Sequence, residues 1–162
     1  AWGSNWIGNA LVRAEPLQTA AIKIDMGAET PPGKAPEKPG KPAAADSALA
    51  MLASADTGAG AKVFKKCKAC HSTAKGGKNK VGPNLWDVVG RAKASAAGFK
   101  FSGALKGLGG TWTYRDLDAF LASPKGFAKG TKMSFAGLKK PKDRAAIIVF
   151  LRSLSDQPKP LP

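Results

Sequence analysis

Residues 67–71 read Cys-Lys-Ala-Cys-His and contain both cysteines and the only histidine of this 162-residue chain. A Cys-x-x-Cys-His run is the attachment signature of c-type haem. Two thiols three positions apart on a helical turn can each add to one vinyl group of the porphyrin, and the imidazole that follows then lies beneath the iron. The motif therefore predicts one haem c bound covalently through Cys67 and Cys70, with His71 as an axial ligand.

Three other uses of this motif need features that the sequence lacks. A structural disulfide would leave His71 without a role. A zinc site needs four ligands, but there is no further Cys or His. A thioredoxin-like redox pair is expected beside a βαβ pattern, whereas lysine-rich, helical sequence flanks this motif. We therefore interpret residues 67–71 as a haem attachment site.

Positive charge is concentrated on the same part of the chain. The net formal charge is +15, and residues 62–152 carry 20 Lys and Arg against four Asp and Glu, whereas residues 1–61 carry five against six. Such a field favours an acidic partner, nucleic acid or an anionic membrane; a merely solvated face is the alternative. No helix-turn-helix or RNP-like pattern occurs, and the aromatic residues have core spacing. We expect acidic protein partners and no nucleic acid.

The composition divides the chain into four segments. Residues 1–29 form an N-terminal arm, and its apolar stretch with Trp2 and Trp6 suits a membrane interface. The arm could be the end of a membrane anchor or a segment that binds a partner. A frayed terminus is the alternative. Residues 30–55 combine a Pro/Ala-rich linker with a short helix over 46–53, capped by Asp46. Residues 56–156 form the haem domain, and residues 157–162 a C-terminal tail.

No apolar run approaches the length needed to cross a bilayer. The N-terminus does not show the pattern of a signal peptide, which is a charged region followed by an apolar core and a cleavage site. Because haem of this type is attached after export, we expect the sequence to be a mature or trimmed form.

Helical signals recur through the haem domain, and no strand pattern is evident between residues 62 and 152. Asp56 or Thr57 can cap a first helix that continues into Cys67. Gly82, Pro83 and Asn84 then mark a loop. The sequence therefore predicts an all-α domain with long loops around the cofactor.

Two later helices are predicted as well. Thr113 and Asp116 form a capping-box-like start, and that helix stops before Pro124. The last helix begins near Pro141 and continues to about Leu154, with apolar residues at helical spacing. Its apolar face is expected to pack on the first helix near Gly60 and Phe64.

The sixth position of the iron would be filled by Met or Lys, or left open, because no second histidine exists. Met26 precedes the linker and Met51 stands just ahead of the haem domain, so both suit packing or the surface. Met133 follows His71 by 62 residues, in the run Gly-Thr-Lys-Met-Ser-Phe-Ala-Gly-Leu-Lys-Lys over 130–140. That loop can reach the opposite face of the haem.

Residues 56–154 resemble the class I cytochromes c, and the run over 130–140 is similar to the methionine loop of mitochondrial cytochrome c and bacterial cytochromes c2. The resemblance implies the class I cytochrome c fold, helices wrapped around one covalently attached haem, here with an extended N-terminal arm. It implies Met133 as the second axial ligand. It also implies that the Pro83 carbonyl accepts a hydrogen bond from His71.

The resemblance implies four further cofactor-binding residues. Arg91 and Trp112 would lie near the haem propionates, Thr131 near the inner propionate and Met133, and Phe135 at the exposed haem edge. Gly60 and Phe150 would form the crossing of the first and last helices.

Three positions depart from the family pattern. Phe120 stands where the mitochondrial protein has a tyrosine that hydrogen-bonds the methionine sulfur. Phe101 stands in place of a propionate-binding tyrosine, and Leu105 replaces an asparagine of an internal water network. The pocket is therefore expected to be drier and less hydrogen-bonded.

The haem motif and the methionine loop favour a non-enzymatic one-electron carrier. The resemblance implies that it works between complexes such as a cytochrome bc1 complex and a terminal oxidase or reaction centre. The N-terminal arm resembles that of bacterial membrane-anchored cytochromes of the cy or c552 type, which implies the bacterial periplasm, at the inner membrane. Two alternatives remain: a haem-binding subunit of a larger oxidoreductase, and a haem peroxidase or gas sensor if Met133 is not a stable ligand. Seven lysines are candidates for docking acidic partners: Lys66, Lys68, Lys80, Lys125, Lys132, Lys139 and Lys140.

Overall fold

The computed structural model describes residues 47–162. The predicted arm over residues 1–29, the linker that follows, the cap at Asp46 and Met26 lie outside the described residues. Within residues 47–162, no helix is both long enough and apolar enough to span a membrane.

The described part of the chain is helical, as predicted. It has no strand, and Ala92 and Thr111 form a single isolated antiparallel bridge within it. A short 3-10 helix, Leu49–Ser54, precedes five α-helices: α1 at Thr57–Phe64, α2 at Gly103–Lys106, α3 at Tyr114–Ala122, α4 at Pro124–Phe127 and α5 at Pro141–Ser153.

The first α-helix is shorter than predicted. The Asp56 carboxylate caps α1 by accepting from the Ala59 N–H at 2.7 Å, but the helix ends at Phe64 rather than at the first cysteine. It ends there because the Lys65 and Lys66 N–H groups bond to carbonyls three residues back, at 3.3 and 3.1 Å, which tightens the backbone into successive turns. The first cysteine thus lies on the turns that follow the helix.

Helices α1 and α5 cross at Gly60, which confirms the predicted crossing. A Cβ at Gly60 would overlap the Ala146 carbonyl oxygen and lie 2.6 Å from the Phe150 Cβ, so only glycine allows this approach. One turn further on, the Phe64 and Phe150 rings pack with their centroids 5.3 Å apart. This crossing fixes the segment after α1 against the core.

The predicted capping box at the start of α3 is present. Thr113 Oγ1 accepts from the Asp116 N–H at 3.0 Å, and the Asp116 carboxylate accepts from the Thr113 N–H at 3.3 Å. The helix ends at Ala122, before Pro124, as predicted. Apolar residues of α3 and α5 then form the centre of the core, including Leu117, Leu121, Ile147, Ile148 and Leu151.

Two four-residue helices were not predicted. Ser102 caps α2 by accepting from the Leu105 N–H, and Ser123 caps α4 by accepting from the Gly126 N–H, both at 3.3 Å. Each contains glycine, and α4 begins with Pro124. Helices this short have little intrinsic stability, so the surrounding packing determines whether they form.

The predicted helix over 46–53 is instead the 3-10 helix, which begins at Leu49 and ends at Ser54. Its N-cap is Ala48, which offers no side-chain cap. Leu52 is 2% exposed and packs in the core, so its burial helps to hold this segment to the domain.

Candidate cofactor site

A cavity of about 470 Å3 opens between the turns after α1, the loop after α4 and the inner faces of α3 and α5. Its lining is predominantly apolar. It contains all nine site residues predicted from the sequence: Cys67, Cys70, His71, Pro83, Arg91, Trp112, Thr131, Met133 and Phe135. Residues from four separate segments thus meet at one site.

The two cysteines lie on one backbone turn at the rim of the cavity. The His71 N–H donates to the Cys67 carbonyl at 2.9 Å, which closes the turn around Cys70. Neither thiol is in a disulfide; Cys67 is half-buried and Cys70 is exposed. Burial raises the pKa of the Cys67 thiol, and the nearby Lys66 ammonium opposes this shift. Both thiols therefore lie unpaired beside the cavity.

The imidazole of His71 is held by the loop that follows it. Its Nδ1–H donates to the Pro83 carbonyl at 2.7 Å, which leaves Nε2 as the nitrogen able to bind a metal. Burial lowers the pKa of His71, although the hydrogen bond to Pro83 opposes the shift, so the ring is neutral at neutral pH. A neutral, oriented imidazole is the form that binds metals.

Sequence reasoning missed the role of Gly82 in this arrangement. A Cβ at Gly82 would lie 2.8 Å from both ring nitrogens of His71, so the backbone passes against the imidazole only because no side chain is present. The Gly82 N–H also donates to the Cys70 carbonyl at 2.8 Å. The sequence signal that could have indicated this role is a glycine directly before Pro83, the residue expected to accept from His71.

Asn84 organises the same loop and was also missed. Its side-chain amide donates to Ser72 Oγ and to the Ala74 carbonyl, both at 2.9 Å, and its side-chain oxygen accepts from the Trp86 N–H at 2.7 Å. The Asn84 N–H donates to Asn79 Oδ1 at 2.9 Å. These bonds hold the Pro83 carbonyl in place beside His71.

Arg91 lies at another part of the cavity wall. Its two terminal nitrogens donate to the Trp86 and Asn84 carbonyls, at 2.9 and 3.1 Å. Burial lowers the pKa of Arg91, and the Asp87 carboxylate opposes the shift. Among the residues described, nothing accepts from its buried Nε–H. A buried donor of this kind needs an acceptor, and a carboxylate in the cavity would provide one.

Trp112 closes the wall next to Arg91 within an aromatic cluster. Its ring centroid lies 5.0 Å from that of Phe120 and 6.1 Å from that of Phe127. The Lys93 ammonium lies 5.6 Å from the ring centroid and forms an ion pair with Asp116 at 3.0 Å. Trp112 is therefore fixed between the core and a paired cation.

The loop with Met133 forms another part of the cavity wall. Thr131 Oγ1 accepts from the Met133 N–H at 3.3 Å, and the Leu138 N–H donates to the Leu121 carbonyl at 2.8 Å. Gly137 has φ +95°, and a Cβ there would lie 2.8 Å from the Ala122 carbonyl carbon. The end of α3 thus holds the loop, while Met51, on the 3-10 helix, is exposed and does not line the cavity.

Residues 58–155 match the family model for cytochrome c. The chain belongs to the cytochrome c family. A cytochrome c homolog of Bradyrhizobium diazoefficiens is 44% identical over 98% of this chain and 86% of its own length. A cytochrome c-type cyt cy of Rhodobacter capsulatus is 51% identical over 61% of this chain. The match covers 49% of that relative's length, so this chain spans about half of it.

A solved structure shows the same fold. Cytochrome cH from Methylobacterium extorquens has a TM-score of 0.57 and 46% sequence identity, over 60% of this chain and 98% of its own. The fold of this cytochrome is therefore the class I cytochrome c fold, as the sequence predicted.

The cofactor of this cytochrome is haem c, bound through Cys67 and Cys70. The cavity fits that group by three features. Its lining is mostly apolar, Nε2 of His71 remains available to a metal, and the buried Nε–H of Arg91 needs an acceptor such as a haem carboxylate. No cluster of three or more His, Cys, Asp or Glu that could hold another metal ion occurs within residues 47–162.

Proposed function

We propose that this cytochrome c is a one-electron carrier whose iron is bound by His71 Nε2 and Met133 Sδ. The observation that carries the proposal is that both side chains line the cavity beside the two cysteines, although they are 62 residues apart in sequence. The haem supplies the Fe(III)/Fe(II) couple. Ligation by His71 and Met133 would raise the reduction potential and leave no iron position open to a substrate, which suits electron transfer rather than substrate chemistry.

The residues of this chain orient the ligands and exclude water. The Pro83 carbonyl fixes the His71 tautomer, which raises the basicity of the ligating nitrogen. Phe101, Leu105 and Phe120 line the cavity where the family has polar side chains. A drier, more apolar pocket disfavours the charged oxidised state, so these replacements support a raised reduction potential.

The rim of the cavity supports docking to an acidic protein. The seven lysines named from the sequence are all exposed, and Lys66 and Lys132 line the opening of the cavity. Val81 lies at the same opening with 81% of its surface exposed. An exposed apolar side chain among cations is a contact that acidic partners can cover, while the charges raise the association rate.

The partners we propose are a cytochrome bc1 complex as donor and a terminal oxidase or reaction centre as acceptor, in the bacterial periplasm at the inner membrane. The reason for this placement is the resemblance of the N-terminal arm to that of membrane-anchored cytochromes of the cy or c552 type. Residues 1–29 would tether the haem domain to the membrane. A tether would keep the carrier at high effective concentration near its partners.

A second candidate function, a haem peroxidase or gas sensor, is favoured by one observation. Phe120 packs against Trp112 and Phe127 and has no hydroxyl to donate to the Met133 sulfur. A sulfur without that hydrogen bond would be easier to displace from iron by a small molecule.

A redox titration and a test of carbon monoxide binding distinguish the two functions. The full-length holoprotein should titrate as a reversible one-electron couple, and its reduced form should not bind CO. Rapid CO binding by the reduced protein, with peroxidase turnover, would favour the second function and overturn the carrier proposal.

A further inference from the structure

The C-terminal residues 155–161 cross back over the haem domain and contact the loop that precedes Arg91. Ser155 Oγ donates to Asp87 Oδ1 at 2.7 Å. The carbonyl of the preceding residue, Leu154, accepts from the Asp87 N–H at 2.6 Å. Asp87 has φ 55°, a conformation that costs energy for a residue other than glycine. The end of α5 and the residue after it therefore hold Asp87 in this conformation.

The segment is fixed at a second point near the start of α3. The Lys159 carbonyl accepts from the Tyr114 hydroxyl at 2.9 Å and from Arg152 Nε at 2.5 Å. The aliphatic part of the Lys159 side chain lies along Gly90, where an added Cβ would be 3.0 Å from Lys159 Cε. Leu161 then packs against the core. Residues 155–161 thus cover the turn between Asp87 and Gly90.

That turn carries the Arg91 guanidinium to the cavity. The Trp86 carbonyl, next to Asp87, accepts from Arg91 at 2.9 Å. The Gly90 N–H donates to the Trp112 carbonyl at 2.9 Å, and the Trp112 N–H donates to the Arg91 carbonyl at 2.8 Å. A shift of Asp87 or Gly90 would therefore move Arg91 and loosen its contact with Trp112.

We propose that residues 155–161 form a strap that positions Arg91 for the cofactor, with Ser155 and Tyr114 as positioning residues. The inference rests on the proposed function, because it requires Arg91 to lie beside a haem carboxylate. The buried, unpartnered Nε–H of Arg91 supports that location. Arg91 itself lines the cavity, whereas no strap residue does, so the strap would act on the site only through the turn that it covers.

The test uses Ser155→Ala, Tyr114→Phe and the double variant in the full-length holoprotein. Each substitution removes one hydroxyl that contacts the strap or the turn. Ser153→Ala is the matched control, because Ser153 Oγ donates to the Phe150 carbonyl within its own helix. Arg91→Gln, alone and combined with the strap variants, reports on the proposed role of the guanidinium.

We expect amide hydrogen exchange over residues 86–91 to become about tenfold faster in the double variant and to stay unchanged in the control. We expect the reduction potential to fall in the strap variants and in Arg91→Gln, because a cation held less firmly near the iron destabilises Fe(III) less. In the Arg91→Gln background, the strap substitutions should lower the potential no further.

Two results would overturn the proposal and can be told apart. If Arg91→Gln lowers the potential but the strap variants do not, the strap has no positioning role and the proposed site stands. If Arg91→Gln leaves the reduction potential unchanged, Arg91 does not act on the haem. The placement of Arg91 beside a haem carboxylate is then wrong, and the strap proposal fails with it.

Discussion

Arg144 on α5 and Asp118 on α3 form a buried ion pair, with Nε 2.5 Å from Oδ1 and only 3% and 1% of the two side chains exposed. Asp118 also accepts from Ser47 Oγ at 3.2 Å and from the Ala48 N–H at 2.9 Å. Arg144 also donates to the Leu138 carbonyl at 2.9 Å. The pair therefore links the start of the domain, two core helices and the end of the methionine loop.

Asp118→Asn should lower the free energy of unfolding by about 3 kcal/mol or more, because it leaves the buried Arg144 charge uncompensated. Chemical denaturation of the oxidised holoprotein measures the change. The matched control is Asp156→Asn, whose carboxylate pairs with Lys75 at the same distance of 2.5 Å but with the side chains 61% and 67% exposed. The control should cost less than about 1 kcal/mol. Equal losses would show that burial of the pair does not matter.

Gly60→Ala should lower the free energy of unfolding by about 1–3 kcal/mol, since its Cβ would push α1 away from the Ala146 carbonyl and Phe150 on α5. Gly103→Ala is the control, because a Cβ there meets no atom within 4 Å. Denaturant melts of both variants should show a loss for Gly60→Ala alone. A Gly60→Ala protein as stable as the control would refute the close crossing.

Local signals in the sequence predicted the parts of the structure that depend on a few neighbouring residues. The motif over residues 67–71 predicted the turn that carries both cysteines, and Thr113 with Asp116 predicted the capping box of α3. Met133 was reached through the family resemblance, not through periodicity. The structure brings it into the same cavity as His71, while its role as a ligand stays a prediction.

Contacts between distant residues could not be predicted in the same way. Asp118 and Arg144 are 26 residues apart, and Ser155 and Asp87 are 68 apart, so no spacing rule connects them. An aspartate on an otherwise apolar helix face gives no sign of its partner. The tail over residues 157–162 likewise carries no periodic pattern, although Lys159 and Leu161 contact the domain.

Lys132→Gln should reduce the second-order rate constant of electron transfer to an acidic partner about twofold at low ionic strength. The interaction energy of two opposite unit charges roughly 10 Å apart in water is about 0.4 kcal/mol, which corresponds to this change in rate. The effect should vanish as added salt screens the field. Lys75→Gln is the control, since Lys75 pairs with Asp156 and does not line the cavity. Stopped-flow rates with a terminal oxidase that fall equally for both variants would argue against docking at the cavity rim.

The central claim, that Met133 closes the sixth position of the iron, is tested most directly by Met133→Ala, with Met51→Ala as the control. The near-infrared charge-transfer band from methionine sulfur to Fe(III) should be present in the unmodified protein and in Met51→Ala, and absent from Met133→Ala. Reduced Met133→Ala should in addition bind CO. A band that survives in Met133→Ala, or CO binding by the unmodified reduced protein, would contradict the claim.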